Sequence, residues 1–289
     1  MNSKTTQANL LLFLTAILWG GGFVAQRLGM QQIGPFIFNG FRFLIGGLTL
    51  LPVIIIRRKR GNQSSGNLKL TLLIGCGAGL LLFSGATFQQ LGIVSTTAGK
   101  AGFITGLYVI IVPILGIFWG DKAPITTWLG ALLAVVGLYL LSATKGIGIL
   151  PGDGLVLIGA VFWALHVQFL SRFSPGIDPI QVSFVQSLLA SLISFSVGIV
   201  RESFLITQIF SAALPILYGG VISIGIAHTL QVVAQRDTKP AHAAILLSLE
   251  AVFAVFWGWL IIGEILSARI IVGCILMLAG MVISQLRHE

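Results

Sequence analysis

The sequence predicts an all-α, polytopic membrane protein: ten transmembrane helices arranged as two inverted five-helix repeats, with the N- and C-termini cytoplasmic. Three observations carry this prediction. Of the 289 residues, 56% are apolar and only 9% charged, and the mean hydropathy is +1.01. A soluble domain carries about 25% charged residues, so this chain has too little polar surface to face water and must be solvated by lipid. Apolar runs of about 20 residues, the length that crosses a bilayer, recur from end to end. Finally, the second half of the chain repeats the first.

The apolar runs lie at 9–26, 35–56, 69–90, 98–118, 124–142, 153–171, 179–199, 211–235, 240–261 and 267–286. Gln26, Arg27 and Arg42 interrupt the first two. Short linkers rich in turn residues separate them, among them Pro151-Gly152-Asp153-Gly154, and no soluble domain fits between. No cleavable signal is evident before the first run. Cys76 and Cys274 sit within apolar runs and follow no metal or redox spacing, so they are read as packing residues. No cofactor and no metal are expected.

Orientation follows from the distribution of Lys and Arg. With the N-terminus inside, eleven basic residues fall on the cytoplasmic side and five outside, a bias set mainly by Arg57-Arg58-Lys59-Arg60. The net charge of +9 therefore reports membrane orientation rather than a nucleic-acid partner, and the basic cluster suits contact with anionic lipid. The expected location is the cell membrane, the inner one in a Gram-negative cell.

A shift of 144 residues places Trp19 on Trp163 and Pro35 on Pro179. A shift of 143 places Gly120 on Gly263, Gly130 on Gly273, Gly137 on Gly280, and Asp121 on Glu264. The repeats therefore run from 9 to 142 and from 153 to 286. Five crossings are an odd number, so the second copy starts on the opposite face of the membrane. Inverted repeats of this kind characterise transporters that alternate access around a site at the midplane.

Trp19-Gly20-Gly21-Gly22-Phe23 resembles the WGxxF signature of EamA-type members of the drug/metabolite transporter superfamily. The stretch from Leu249-Glu250-Ala251-Val252-Phe253-Ala254 through Gly263-Glu264 to Gly273 resembles that family's second signature, and Val112-Pro113 through Gly120-Asp121 to Gly130 is its first-half counterpart. Ala251 replaces the usual proline, which puts a helix kink there in question, and Asp121 replaces the usual glutamate. The resemblance spans nearly the whole chain. It implies a secondary transporter, usually an exporter of amino acids or other small metabolites, and leaves the substrate open.

Ionisable groups at bilayer depth are costly and rarely face lipid, so each is a candidate. Glu250 lies about eleven residues into the ninth helix, ~16 Å from its end at 1.5 Å per residue. It reads either as a proton carrier or amine partner, or as a carboxyl bonded to a neighbouring helix. Arg42, ~10 Å into the second helix, reaches either an interface or a cavity. Lys100 either snorkels to the outer interface or lines the outer mouth of a cavity. His166 and His228 suit proton transfer or a polar substrate, or a simple interhelical bond. Gln89, Gln90, Gln168, Gln186 and Gln231 offer neutral hydrogen bonds. Trp19 and Trp163, at matching places in the repeats, either line a central cavity or pack.

Other function classes find little support. No G-x-x-x-x-G-K-[ST] motif is present, which argues against ATP-driven pumping. Nor is there a G-x-S-x-G, an H-E-x-x-H or a second deep acid to pair with Glu250, which argues against a membrane enzyme. The expectation is a carrier for a small-molecule metabolite, with proton coupling, uncoupled facilitation and multidrug efflux as its variants. A scaffold role is the remaining alternative.

Overall fold

In a computed structural model, residues 3–59, 67–95, 98–142, 150–263 and 266–285 are described. All regular structure among them is helical. Seven helices are long and apolar enough to cross a membrane, and three shorter apolar helices, Ile104–Phe118, Ile125–Leu140 and Ala268–Ser284, stand where the fourth, fifth and tenth spans were expected. The outer face confirms lipid as the solvent. Phe118, Val200, Phe210 and Leu214 are each at least three-quarters exposed, a pattern that a water-soluble monomer avoids.

The first half comprises α1 (Ser3–Gly29), α2 (Pro35–Lys59), α3 (Leu68–Val94), α4 (Ala98–Gly106) with α5 (Tyr108–Phe118), and α6 (Ile125–Ser142). The second comprises α7 (Pro151–Phe173), α8 (Pro179–Arg201), the short α9 (Ile206–Ser211), an eighth span built from α10 (Ala213–Leu217), a π-helical stretch (Tyr218–His228) and α11 (Thr229–Ala234), a ninth span built from α12 (Pro240–Ser248), α13 (Glu250–Trp257) and a π-helical turn (Gly258–Ile262), and α14 (Ala268–Gln285). Three expected continuous spans are thus segmented, and α9 was not anticipated.

The segmentation has local causes. Leu107 and Leu249 adopt ψ of −14° and −11°, well short of the α-helical value near −42°. Their amides donate to Ile104 and Leu246, three residues back, rather than four. The Ser248 hydroxyl donates to the Ile245 carbonyl at 2.8 Å, a local bond that bends helices. The ninth span therefore kinks at Leu249 although Ala251 replaces the family's proline.

Packing follows a two-fold pattern. α2 lies along α8, and α6 lies along α14. The contact of α3 with α7 is matched by that of α1 with the eighth span, and the contact of α1 with α13 by those of α7 with α4 and α5. At the α6–α14 crossing, a Cβ on Gly130 would stand 2.6 Å from the Gly280 carbonyl oxygen, and one on Gly137 would stand 2.6 Å from that of Gly273. Since Gly130 corresponds to Gly273 and Gly137 to Gly280, the two contacts are copies of each other. Gly75, Gly77 and Gly79 likewise bring α3 against Val185, Phe169 and Gln186, the close approach expected of small residues in lipid.

Gly120 belongs to a different class. No atom lies within 4 Å of where its Cβ would be. Its φ is +81°, and that of its counterpart Gly263 is +74°. Both end a segmented span in the left-handed region, where only a residue without a Cβ is unstrained.

α2, which carries Arg42, is anchored at its start by a distant residue. Pro35 opens the helix and fixes φ, but no capping side chain precedes it. The Phe36 and Ile37 amides instead donate to the two Glu202 carboxylate oxygens, at 2.8 and 2.9 Å. α8 starts with Pro179 in the matching place and is capped locally, its Ile180 amide donating to Asp178 at 2.9 Å. Glu202→Ala is expected to destabilise the protein by about 1–2 kcal/mol, measured as a lowered thermal transition in detergent. An unchanged transition would mean that α2 is positioned by packing alone.

Candidate functional site

Both halves contribute to one cavity inside the helix bundle. α1 supplies Trp19, Phe23 and Gln26; α2 supplies Arg42, α3 Gln89, and the segmented fourth span Thr105 and Tyr108. From the second half come Trp163 and Val167 of α7, Ser223, Ile224, His228 and Gln231 of the eighth span, and Leu247 and Glu250 of the ninth. Its interior holds about 50 Å³, room for only a few water molecules.

Seven of the twelve residues singled out in the sequence line this cavity: Glu250, His228, Arg42, Trp19, Trp163, Gln89 and Gln231. His166 does not. It is fully buried behind the wall, its Nε2 3.0 Å from Gln186 Oε1 on α8 and its ring 6.0 Å from that of Trp163. This contact joins α7 to α8. The side chain of Lys100, like residue Glu264, lies outside the described residues.

The two segmented spans meet at the cavity wall. Tyr108 and Glu250 are each the first residue after the turn in their span, and the Tyr108 hydroxyl donates to Glu250 Oε1 at 3.4 Å. The register of 143 pairs Glu250 with Leu107, whereas the turns at Leu107 and Leu249 place Tyr108 and Glu250 in equivalent positions. The offset grows by one between there and the Gly120–Gly263 pair. The π-helical turn at Gly258–Ile262 accounts for the difference, because a π turn accommodates one extra residue in a helix. Tyr108 is therefore a site residue that sequence reasoning missed, displaced from its partner by a single insertion.

A second cluster surrounds His228. Its Nδ1 lies 3.0 Å from the Ser223 carbonyl oxygen and 3.2 Å from Trp19 Nε1, and Trp19 Nε1–H also donates to that carbonyl at 3.1 Å. The Trp19 and His228 rings are 4.6 Å apart. This triangle fixes the imidazole plane and leaves Nε2 without a partner among the described residues. The Ser223 carbonyl can accept these bonds from the side because the span is π-helical there. Ser223 was not anticipated, since nothing in its own sequence context announces the π geometry.

On the remaining walls, Gln89 Nε2 donates to Thr105 Oγ1 at 3.1 Å, and Gln26 Nε2 donates to the Gly22 carbonyl at 3.3 Å. Trp163 packs against Gly85, where a Cβ would stand 3.1 Å from the indole. The Trp pair thus lines the cavity, but with unequal roles: Trp19 is tied to His228, while Trp163 Nε1 has no hydrogen-bond partner among the described residues. No cluster of His, Cys, Asp or Glu suited to a metal ion occurs among the described residues.

Comparison with known proteins agrees on the type of chain. The sequence profile described as "EamA-like transporter family" matches twice, at residues 6–143 and 150–285. An uncharacterized transporter of Archaeoglobus fulgidus is 33% identical over 98% of this chain and 87% of its own length. The uncharacterized transporter YoaV of Bacillus subtilis is 24% identical over 91% of each chain. The uncharacterized inner membrane transporter YedA of Escherichia coli K12 is 24% identical over 89% of this chain and 83% of its own. A crystal structure at 20% identity matches 97% of this chain and 96% of its own with a TM-score of 0.81, which shows a shared fold.

Tyr108→Phe keeps the ring and removes the hydroxyl that reaches Glu250. It is expected to shift the Glu250 carboxyl band in infrared difference spectra, the band being identified by its loss in Glu250→Gln. A band that stays in place would show that the two groups do not interact.

Proposed function

We propose that this chain, which belongs to the EamA-like transporter family, is a secondary transporter of a small metabolite that works by alternating access between two inverted halves. The observation that carries this reading is the cavity itself: it is lined by helices of both halves, and Tyr108 and Glu250, where two segmented spans meet, are part of its wall. Sites built at the junction of broken helices from opposed repeats are characteristic of such carriers. The paired contacts of the helices, with residues 9–142 as one unit and 153–286 as the other, support the inverted arrangement.

The packing below the cavity supports a mechanism. Leu12, Val112, Val167, Ala243, Leu246 and Leu247 belong to one continuous apolar cluster. By the distribution of basic residues it extends from the cavity wall toward the cytoplasmic side, where on this reading it acts as the inner seal. Further toward that face, Arg172 of the second half pairs with Asp121 of the first at 2.6 Å, and its guanidinium lies 5.0 Å from the Trp119 ring. Small-molecule sites usually occupy about 300–1,000 Å³, so a cavity of about 50 Å³ must widen to hold a metabolite. Separation of the halves at this seal would widen it and expose it to the cytoplasm. Export is the direction that the family resemblance favours, and Glu250 is the group suited to carry a coupling proton.

Labelling tests the alternating cavity. Cysteine at position 163, in a background without Cys76 and Cys274, should react with a membrane-impermeant thiol reagent, at rates that respond to transported solute. Complete protection from both faces under all conditions would reduce Trp163 to a packing residue. Coupling is tested separately in proteoliposomes. Glu250→Gln should leave a folded protein whose flux no longer varies with pH, and a wild-type pH profile in this variant would remove Glu250 from proton transfer.

A further inference from the structure

Arg42 is the least satisfied charge in the described structure. It is 3% exposed, yet it lines the cavity. Guanidinium groups remain protonated in proteins, and a buried charge is ordinarily paired. Here no carboxylate among the described residues comes within ion-pair distance. The ion pairs Arg57–Asp178 and Arg172–Asp121 lie elsewhere, and Arg42 Nε has no hydrogen-bond partner among the described residues.

Aromatic rings hold the group in its place. The guanidinium carbon lies 4.9 Å from the Phe43 ring centroid and 5.8 Å from that of Phe38. Such contacts attract a cation but offer no acceptor for its five N–H donors. Glu250, the one acid lining the cavity, already receives the Tyr108 hydroxyl. The site therefore presents a planar, positive fork in a cavity that two indole rings, Trp19 and Trp163, also line, and no carboxylate among the described residues is paired with it.

We propose that Arg42 is the docking point for the carboxylate of the transported molecule, which is an organic anion or zwitterion with a flat apolar body that rests against Trp19 and Trp163. The fork matches a carboxylate in bidentate geometry, and the indoles supply apolar contact area. The carboxylate so bound neutralises the guanidinium, and an organic anion, unlike a zwitterion, also lowers the net charge of the loaded carrier by one unit. This inference deepens the transport reading and rests on it.

The test is binding to the purified full-length protein in detergent at neutral pH, followed by tryptophan fluorescence, with four probes that share a ring: benzoate, benzamide, benzylamine and phenylalanine. Benzoate is expected to bind at least about tenfold more tightly than benzamide, in line with a charge-assisted hydrogen bond of ~1.5–3 kcal/mol. Phenylalanine should also bind, and benzylamine only weakly. Arg42→Gln should bring benzoate down to the level of benzamide. Arg42→Lys, which keeps the charge but loses the fork, should fall between them and guards against misfolding as the cause.

Benzoate binding no better than benzamide in the wild type, absent altogether, or unaffected by Arg42→Gln in a monodisperse protein overturns the proposal. Benzylamine as the tightest probe does so too, and makes Glu250 the anchoring charge instead. Each of these outcomes leaves the transport reading to its own test, because solute-dependent labelling at position 163 does not require Arg42.

Discussion

Inside a bilayer, a backbone amide or carbonyl has no water to turn to, so every one must be satisfied by the chain itself. This constraint explains why the described structure is helical throughout, and also where it stops being regular. The turns at Leu107 and Leu249 and the π-helical stretch Tyr218–His228 all adjoin the central cavity. Irregular backbone is tolerated there because side chains and neighbouring spans take up the freed groups. The Ser223 carbonyl, which the π geometry makes available, receives Trp19 and faces His228. The same irregularity thus creates acceptors and fixes the orientation of the groups that use them.

The scaffold around this centre is built from approach distance rather than from polar bonds. Lipid tails are as apolar as the helices, so no hydrophobic force drives spans together, and close contact between small residues must serve. The crossed pairs Gly130–Gly280 and Gly137–Gly273 bring α6 and α14 to backbone contact at the periphery. The start of α2 is held instead by Glu202, a charged acceptor near the membrane surface, where such a group is least costly. Peripheral helices packed by glycine and an interior lined by Trp, His, Arg and Glu divide the molecule into a frame and a site.

The frame was largely legible in the sequence. Span positions, the repeat and the matching prolines and glycines follow from hydrophobic length and from residues whose backbone role is specific, such as Gly120 and Gly263 at positive φ. Much of the site was legible as well, because a buried ionisable group stands out against an apolar background. Arg42, His228 and Glu250 were singled out on that basis, and all three line the cavity. What escaped depended on geometry that one-dimensional spacing does not encode. Tyr108 was hidden by a one-residue change of register, and Ser223 contributes a carbonyl, which every residue has. His166 was singled out correctly as buried, but burial alone did not reveal that it faces Gln186 rather than the cavity.

The extra residue at Gly258–Ile262 has a thermodynamic consequence. In a carrier whose two halves were identical, the inward-facing and outward-facing forms would be related by a two-fold rotation and equal in free energy, each half taking the other's conformation. An insertion in one half alone removes that degeneracy, because the ninth span can no longer reproduce the packing of the fourth along its full length. Under the proposed alternating-access reading, the empty protein would have a preferred resting orientation set by its own backbone, and a bound solute would act by tilting an equilibrium that is already unequal.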